Sequence, residues 1–336
     1  MIMDEMAKYK GIPNKIAKEL AYYEYRYFRD DVPIPFCGLL IYPATVRDYE
    51  RFFDATSCLT LNKNETLQGI RMSNLDYLYS LMESKNGDEG LKWSFRFTSL
   101  IDICFHIKSG YKCKKCGRLY EFGSAECAKL MKDTEERVKN AATEDPQLLE
   151  TPEGIEKLKS LAKPRCEDDG DEVMATIYTK KDDKGKLVLV LDGHEISSAD
   201  FDRLRQIILF QNLPDYRDES WVDPSLKRDR ELKLELERKQ NDVHATTEQK
   251  MVCLSIATNY KLDEIRDMPV RKFTMALSAV DDLINYQITK LALMTGLVSL
   301  PKGKTLEHWI YKQDKDMYGD TYKSLSDAKS AASGVS

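Results

Sequence analysis

The amino-acid sequence predicts a mainly α-helical, multi-domain protein that also contains a small α+β module with one β-hairpin and a cysteine knuckle. Apolar residues recur at helical spacing in several segments, most regularly over residues 273–291. Two β-branched, apolar runs at 173–178 and 186–191 flank a polar turn, which is typical of a hairpin. Cys113 and Cys116 form a tight C-x-x-C-G turn, and this stretch is the strongest candidate for a site.

Composition limits the classes of function. The 336 residues include 51 basic and 56 acidic side chains, and the net charge of −5 provides no general attraction to nucleic acid or anionic membranes. No apolar run reaches the roughly 18 residues that a membrane-spanning helix needs. The N-terminal residues lack the apolar core of a signal peptide. The scattered cysteines favour a reducing cytoplasm over a disulfide framework.

Changes in composition along the chain predict its domain organisation. The predicted segments are an N-terminal aromatic helix (1–29), a helical domain with the cysteine/histidine knuckle (30–130), a charged linker or helix that ends in an acidic, solvated loop (131–172), a β-hairpin followed by a helix (173–215), a charged bridging helix (216–245), a C-terminal helical unit (246–320) and a flexible tail (321–336).

Helix starts are indicated by small polar residues with a polar residue three positions later. These pairs are Thr45 with Asp48, Ser73 with Asp76, Ser197 with Asp200, and Thr246 or Thr247 before the last helical block. In that block, we expect the apolar stripe of the long helix, including Phe273, Leu277, Ile284 and Ile288, to pack inside an antiparallel helical unit. The tail around His308 is expected to fold back on it.

The cysteine-rich stretch predicts a structural Zn²⁺ site. A C-x-x-C turn places the thiolates of Cys113 and Cys116 on one side of a short loop, where a single zinc ion can bind both. Cys127 is the natural third ligand. The fourth is His106, Cys104 or Cys166, and His106 is the residue that we assign. Reduced thiols without metal, or a redox pair, are the alternatives to a metal site.

No catalytic constellation is indicated by the sequence. It lacks the glycine-rich phosphate and dinucleotide loops, the H-E-x-x-H helix and the G-x-S-x-G elbow. The sequence therefore predicts a protein that acts by binding and not by chemistry. The aromatic residues at 22–28, among them Tyr22, Tyr25 and Phe28, are the first candidate for a binding surface.

Three passages carry a resemblance to a known class of proteins. They are 40–53 with 72–78, 200–216 with 221–224, and 268–296 with 308–309. These passages resemble uncharacterised assembly or structural proteins from the tail-gene clusters of tailed bacteriophages, especially those of Gram-positive hosts. The C-x-x-C turn is also similar to that of some baseplate-hub assembly proteins. No site residue is carried over from this resemblance.

The resemblance implies a non-enzymatic role in phage tail or baseplate assembly, as a chaperone or as a minor structural component. The partners would be other tail or baseplate proteins, and the location would be the host cytoplasm and possibly the virion tail. A zinc-containing, nucleic-acid-binding regulator is the main alternative, since basic residues surround the turn and Tyr111 and Tyr120 suit base stacking. Abundant acidic residues after the turn make nucleic acid the less favoured partner. A hydrolase with a site assembled from distant residues is a third possibility.

Overall fold

Helices make up most of the described part of the computed structural model, which comprises residues 9, 12–61, 63, 67–84, 87–149, 151–168, 170–218, 232, 245–299, 306 and 308–310. The predicted class, mainly α with small β elements, is confirmed. Among the described residues, no helix combines the length and the apolar character that a bilayer span requires. The chain divides into two units, 1–274 and 275–336. Most of the predicted bridging helix (216–245) and the tail (321–336) lie outside the described residues.

The helices occur along the whole described chain. They are α1 (Asn14–Tyr23), α2 (Tyr49–Ala55), α3 (Leu67–Arg71), α4 (Asn74–Met82), α5 (Gly87–Phe105), α6 (Ala125–Glu144), α7 (Pro152–Leu161), α8 (Ser198–Asn212), α9 (Thr247–Thr258), α10 (Leu262–Arg266) and α11 (Val270–Met294). A π-helical segment, Glu24–Phe28, continues α1. Short 3-10 segments precede and follow α2.

The strands form three small antiparallel sheets, which is more than the single hairpin that we predicted. The strands are β1 (Ile34–Phe36), β2 (Leu39–Ile41), β3 (Gly110–Cys113), β4 (Leu119–Glu121), β5 (Val173–Ala175), β6 (Ile177–Lys181), β7 (Leu187–Leu191) and β8 (His194–Ser197). β1 pairs with β2 alone. The other two sheets have the strand orders β4-β3-β5 and β6-β7-β8.

Helix α8 lies at the centre of the main core. All its residues from Leu204 to Asn212 are buried, so it is enclosed on every side. It packs against α1, α4 and the strands β7 and β8, and all five residues of β7 are buried as well. The predicted segments 30–130 and 173–215 therefore contribute to one shared core.

The predicted strand at 173–178 is divided between two sheets at Thr176. β5 pairs with β3, whereas β6 pairs with β7. Thr176 is buried, its backbone N–H donates to the Gly110 carbonyl at 2.9 Å, and its own carbonyl accepts from the Asp192 N–H at 2.7 Å. A side-chain bond from Thr176 Oγ1 to the Lys108 carbonyl (2.7 Å) fixes the same point. This residue therefore joins the cysteine-bearing sheet to the sheet of the main core.

The helix caps confirm most of the predicted starts. The side chains of Ser73, Ser197 and Thr246 each accept a bond from the backbone N–H three residues later. Thr45 differs, because its side chain makes no cap and a 3-10 turn over Val46–Asp48 comes before α2. Thr45 is instead held by a β-bridge to Pro269, so tertiary pairing replaces the local cap there.

The apolar stripe of α11 is covered only at its first end. Phe273 is fully buried and Leu277 is half-buried. Ile284 and Ile288 are 47% and 61% exposed, so the prediction that they pack inside a helical unit is wrong. On another side of the same helix, the ring of Tyr286 contacts that of His308 at 5.3 Å between centroids, as expected for a tail that folds back.

The two ends of this stripe should respond differently to truncation. We expect Phe273→Ala to lower the free energy of unfolding by about 3–5 kcal/mol, because it removes a fully buried aromatic side chain. We expect Ile288→Ala to change it by less than about 0.5 kcal/mol, because this residue is mostly exposed. Urea unfolding of both variants measures the difference, and equal losses would contradict the burial described above.

Candidate metal centre

A tight turn between β3 and β4 presents the first two cysteines. The backbone N–H of Cys113 donates to the Arg118 carbonyl at 2.9 Å, and the N–H of Gly117 donates to the Cys113 carbonyl at 3.0 Å. Gly117 has a φ of +77°, a left-handed conformation that glycine adopts without a steric penalty. We call residues 113–118 the first turn.

A second turn of the same construction carries Cys166. Its N–H donates to the Asp171 carbonyl at 2.8 Å, and the N–H of Gly170 donates to the Cys166 carbonyl at 3.0 Å. Gly170 has a φ of +70°, as Gly117 does in the first turn. A β-bridge between Arg165 and Glu172 closes its base. We call the described residues 166–168 and 170–171 the second turn. Its side chains after Cys166 are exposed, as expected for a solvated loop, but its backbone bonds make it a counterpart of the first turn.

The two turns bring three cysteines together. The sulfur atoms of Cys113, Cys116 and Cys166 all lie within 4.8 Å of one another. Cys113 and Cys166 are buried, whereas Cys116 is exposed. The Sγ atoms of Cys116 and Cys166 are 3.5 Å apart. We call these three residues the cysteine cluster; it is close enough to hold a metal ion.

The other predicted ligands lie at different places. Cys127 lies near the N-terminus of α6, where its backbone N–H donates to Ser124 Oγ at 3.1 Å. It packs in the same small core as Cys113 and Cys166, but its sulfur is not part of the cysteine cluster. His106 follows the end of α5 with a φ of +56°, and its ring stacks on Tyr42 at 4.1 Å. The structure thus brings Cys166, and not His106, to the C-x-x-C turn.

Cys104, another of the alternatives, is fully buried in the main core. Burial raises the pKa of this thiol, because a thiolate there would lose its hydration. It therefore behaves as a small apolar core residue.

Tyr120 forms hydrogen bonds with Cys166 and with the backbone of the next residue, Glu167. Its side chain is fully buried, and its hydroxyl donates to Cys166 Sγ at 3.4 Å while accepting from the Glu167 N–H at 3.1 Å. Burial and the bond to Cys166 raise the pKa of Tyr120 to about 12. The phenol therefore stays protonated at neutral pH and fixes the start of the second turn to β4.

Opposite charges face each other across the two turns. Arg118 Nη1 lies 2.8 Å from Asp168 Oδ1, and Lys115 Nζ lies 3.6 Å from Asp171 Oδ2. Lys129, on α6, lies 3.0 Å from Glu167 Oε1. The hydrogen bond to Asp168 raises the pKa of Arg118 further above its usual range. Because these groups are partly exposed, each pair contributes little alone, but together they favour this alignment of the turns.

The metal-free thiol of Cys116 is protonated near neutral pH. A backbone N–H bond from Arg118 lowers the pKa of Cys116, but partial desolvation and the nearby Cys113 and Cys166 raise it to about 11 overall. Burial raises the pKa of Cys127 as well. A bound cation would reverse this balance, because it stabilises thiolates directly.

The donor set suits a tetrahedral thiolate site. With a Zn–S bond of about 2.3 Å, two sulfurs in such a site lie about 3.8 Å apart. The observed 3.5 Å between Cys116 and Cys166, and the 4.8 Å limit for all three sulfurs, are near this spacing. The backbone N–H of Arg118 directed at Cys116 is the type of outer contact that orients a thiolate ligand.

The chain matches no protein-family model, and comparisons with curated proteins and with solved structures find no similar protein. No relative therefore supports or opposes the resemblance to phage tail-cluster proteins.

Removal of the Tyr120 hydroxyl should destabilise the second turn. We expect Tyr120→Phe to reduce stability by about 1–3 kcal/mol, because the Glu167 N–H and Cys166 Sγ both lose a buried partner. Hydrogen exchange of the amides in 166–171 measures the local opening. Tyr25→Phe is the control, since Tyr25 is 73% exposed. An unchanged exchange rate in the second turn would show that Tyr120 does not hold it.

Proposed function

We propose that this protein is a zinc-containing, non-enzymatic assembly protein that acts through protein–protein contacts. The cysteine cluster is the observation that carries the zinc part of the proposal. Cys113, Cys116 and Cys166 supply three thiolates, and Cys127, buried in the same small core, is the fourth ligand. Four protein ligands leave no open position for water or substrate, so the role of the metal is structural.

Zinc at this place connects parts of the chain that are distant in sequence. Helices α6 and α7 lie between the first turn and the second turn. A metal bound to both turns fastens the two ends of this helical segment to the hairpin β3–β4. Such a site contributes directly to folding stability, because its ligands come together only in the folded chain.

Exposed apolar side chains support a role in binding other proteins. Ile284, Ile288 and Leu291 lie on one side of α11 and are 47%, 61% and 64% exposed. A continuous apolar stripe of this type is typical of a surface that a partner covers. Tyr22 and Tyr25 are also exposed, at 54% and 73%, and tyrosine is favoured at interfaces.

The resemblance to tail-gene-cluster products specifies the kind of partner. We propose that these surfaces bind tail or baseplate proteins of a phage during assembly, either as a chaperone or as a minor component of the tail. This work would take place in the host cytoplasm, and in the second case the protein would remain in the virion.

The nucleic-acid alternative receives less support from the surface around the turns. Lys108 lies 2.7 Å from Glu121, Lys112 lies 2.7 Å from Asp192, and Arg118 pairs with Asp168. Carboxylates that already neutralise these cations weaken any attraction to phosphates. The positive potential that the sequence suggested is therefore largely compensated.

Metal analysis tests the zinc site and its ligands. We expect about one zinc ion per chain in protein purified without chelator, and loss of that zinc in Cys116→Ser and Cys166→Ser. His106→Ala should retain its zinc, because this ring stacks on Tyr42. Cys253→Ser is the matched cysteine control, since Cys253 is exposed and outside the cluster. Cys127→Ser tests the fourth ligand.

The zinc affinity should also depend on pH. The pKa of Cys116 is raised to about 11 in the metal-free state, so zinc binding must displace a proton from this thiol at neutral pH. Affinity should therefore increase as pH rises and decrease as it falls. Wild-type protein with less than about one-tenth equivalent of zinc and freely titratable thiols would sink the proposal.

Substitution of exposed residues tests the binding role. We expect Ile284→Ser combined with Ile288→Ser, and separately Tyr22→Ser combined with Tyr25→Ser, to reduce co-purification with tail or baseplate proteins while leaving the fold intact. Phe28 is excluded from the second variant because it is buried in the main core, contrary to our expectation from sequence. The circular dichroism spectrum and the unfolding midpoint serve as controls for folding.

A phage that lacks the gene tests the biological role. Heads without finished tails in the lysate, seen by electron microscopy, are the expected result, whereas normal infectious particles would rule out an essential assembly function. A search of purified virions for peptides of this chain separates a chaperone from a tail component.

A further inference from the structure

A close sulfur contact in the cysteine cluster crosses between the two turns. Cys116 Sγ and Cys166 Sγ are 3.5 Å apart, and Cys116 is exposed while Cys166 is buried behind it. We propose that these two residues form an oxidisable pair, which a peroxide joins in a disulfide. Where zinc is bound, the same reaction releases it; that second part rests on the proposed zinc site, whereas the disulfide does not.

The geometry favours this pair over the described cysteines outside the cluster. A disulfide has an S–S bond of about 2.05 Å, so the two sulfurs must approach by about 1.5 Å, which side-chain rotation at an exposed turn allows. Cys37, Cys58, Cys104 and Cys253 belong to no cluster of ligand atoms in the described part of the chain. Cys127 packs in the same small core but lies outside the group of three sulfurs. Cys113 is the other member of the cluster, and a bond from it to Cys116 would lie within the first turn.

The chemistry requires one peroxide per disulfide. The exposed Cys116 thiol loses its proton, its sulfur attacks a peroxide oxygen, and the O–O bond breaks to give a sulfenic acid and hydroxide. The hydroxide takes up the proton from the Cys116 thiol and becomes the first water. The Cys166 sulfur then attacks Cys116 Sγ, the S–S bond forms, the S–O bond breaks, and hydroxide leaves with the proton of the Cys166 thiol as a second water. Two thiols and hydrogen peroxide thus give one disulfide and two waters.

Oxidation would replace the metal-mediated link between the two turns by a disulfide bond. A bound metal would lose two of its proposed thiolate ligands, Cys116 and Cys166, and would dissociate. The new covalent bond still joins the first turn to the second turn, so the ends of the α6–α7 segment stay attached to the hairpin. A bond between Cys113 and Cys116 would have the opposite effect, because it would free the second turn.

Peptide mapping of the oxidised full-length protein tests this proposal. Trypsin cleaves after Lys115, Arg118, Arg165 and Lys180, so Cys116 and Cys166 fall in the peptides 116–118 and 166–180 while Cys113 falls in another. After treatment with hydrogen peroxide and alkylation of free thiols, we expect these two peptides to be linked and to separate on reduction. A chromophoric chelator should record zinc release with the same time course.

Controls keep the two parts of the proposal separate. Cys116→Ser should abolish the linked peptide, and Cys253→Ser should leave it unchanged. The same map is made on reduced, metal-free protein, so a linked peptide there supports the pair even if the zinc proposal fails. A link between Cys113 and Cys116 in the wild-type protein, or higher sulfur oxides without any link, would overturn the inference.

Discussion

Enclosure of α8 on all sides is the constraint on which the main fold depends. Polar side chains on a helix that is buried all round are stabilised by partners inside the protein. Arg205 and Asn212 of α8 have such partners, whereas neither amide atom of Gln211 has one among the described residues. Arg205 donates from Nε to the Leu59 carbonyl at 2.6 Å, and Asn212 Oδ1 accepts from the Ala44 N–H at 2.7 Å. These bonds fix where the segments after α2 and β2 must run. The neighbouring segments enclose α8, and the polar side chains of α8 in turn fix the positions of those segments.

The C-terminal end of α8 extends this constraint to another helix. Residue 214 is proline and has no N–H, so it cannot donate the helical hydrogen bond to the carbonyl of Phe210. Arg271 lies at the N-terminal end of α11, and its Nη1 donates to that carbonyl at 2.9 Å. Its Nη2 donates to Glu24 Oε1 at 3.0 Å. One buried arginine thus ties α11, α8 and the π-helical segment together. This explains why the stripe of α11 is covered at Phe273.

Features that depend on neighbouring residues in the sequence were predictable, whereas burial of helix faces and the pairing of distant strands were not. Ser73, Ser197 and Thr246 were predicted correctly as caps because each side chain bonds the backbone N–H only three residues later. Periodicity showed which side of α11 is apolar, but burial of Ile288 depends on what lies opposite, which no local pattern contains. The split at Thr176 was missed for the same reason, because it depends on the distant partners Gly110 and Asp192.

In the candidate site, too, the local feature was predictable from sequence and the distant residue was not. The C-x-x-C turn is local and was found, but His106 was chosen as a ligand because it is near in sequence, although it serves to end α5. Cys166 lies beyond α6 and α7, and only tertiary structure brings it back. A signal was present nevertheless: the spacing from Cys166 to Gly170 repeats that from Cys113 to Gly117. The acidic residues that suggested a solvated loop are those that face Lys115 and Arg118.

The separation of the two cores determines what a metal at this site would control. The small core of Cys113, Tyr120, Cys127, Leu130, Cys166 and Val173 shares no residue with the core around α8. The ion pairs between the turns are partly exposed, and such pairs contribute only about 0–1 kcal/mol each. Few buried residues and weak ion pairs therefore hold the second turn without metal. A metal ion would act mainly on this small core and on the ends of α6 and α7, while the packing around α8 would persist without it.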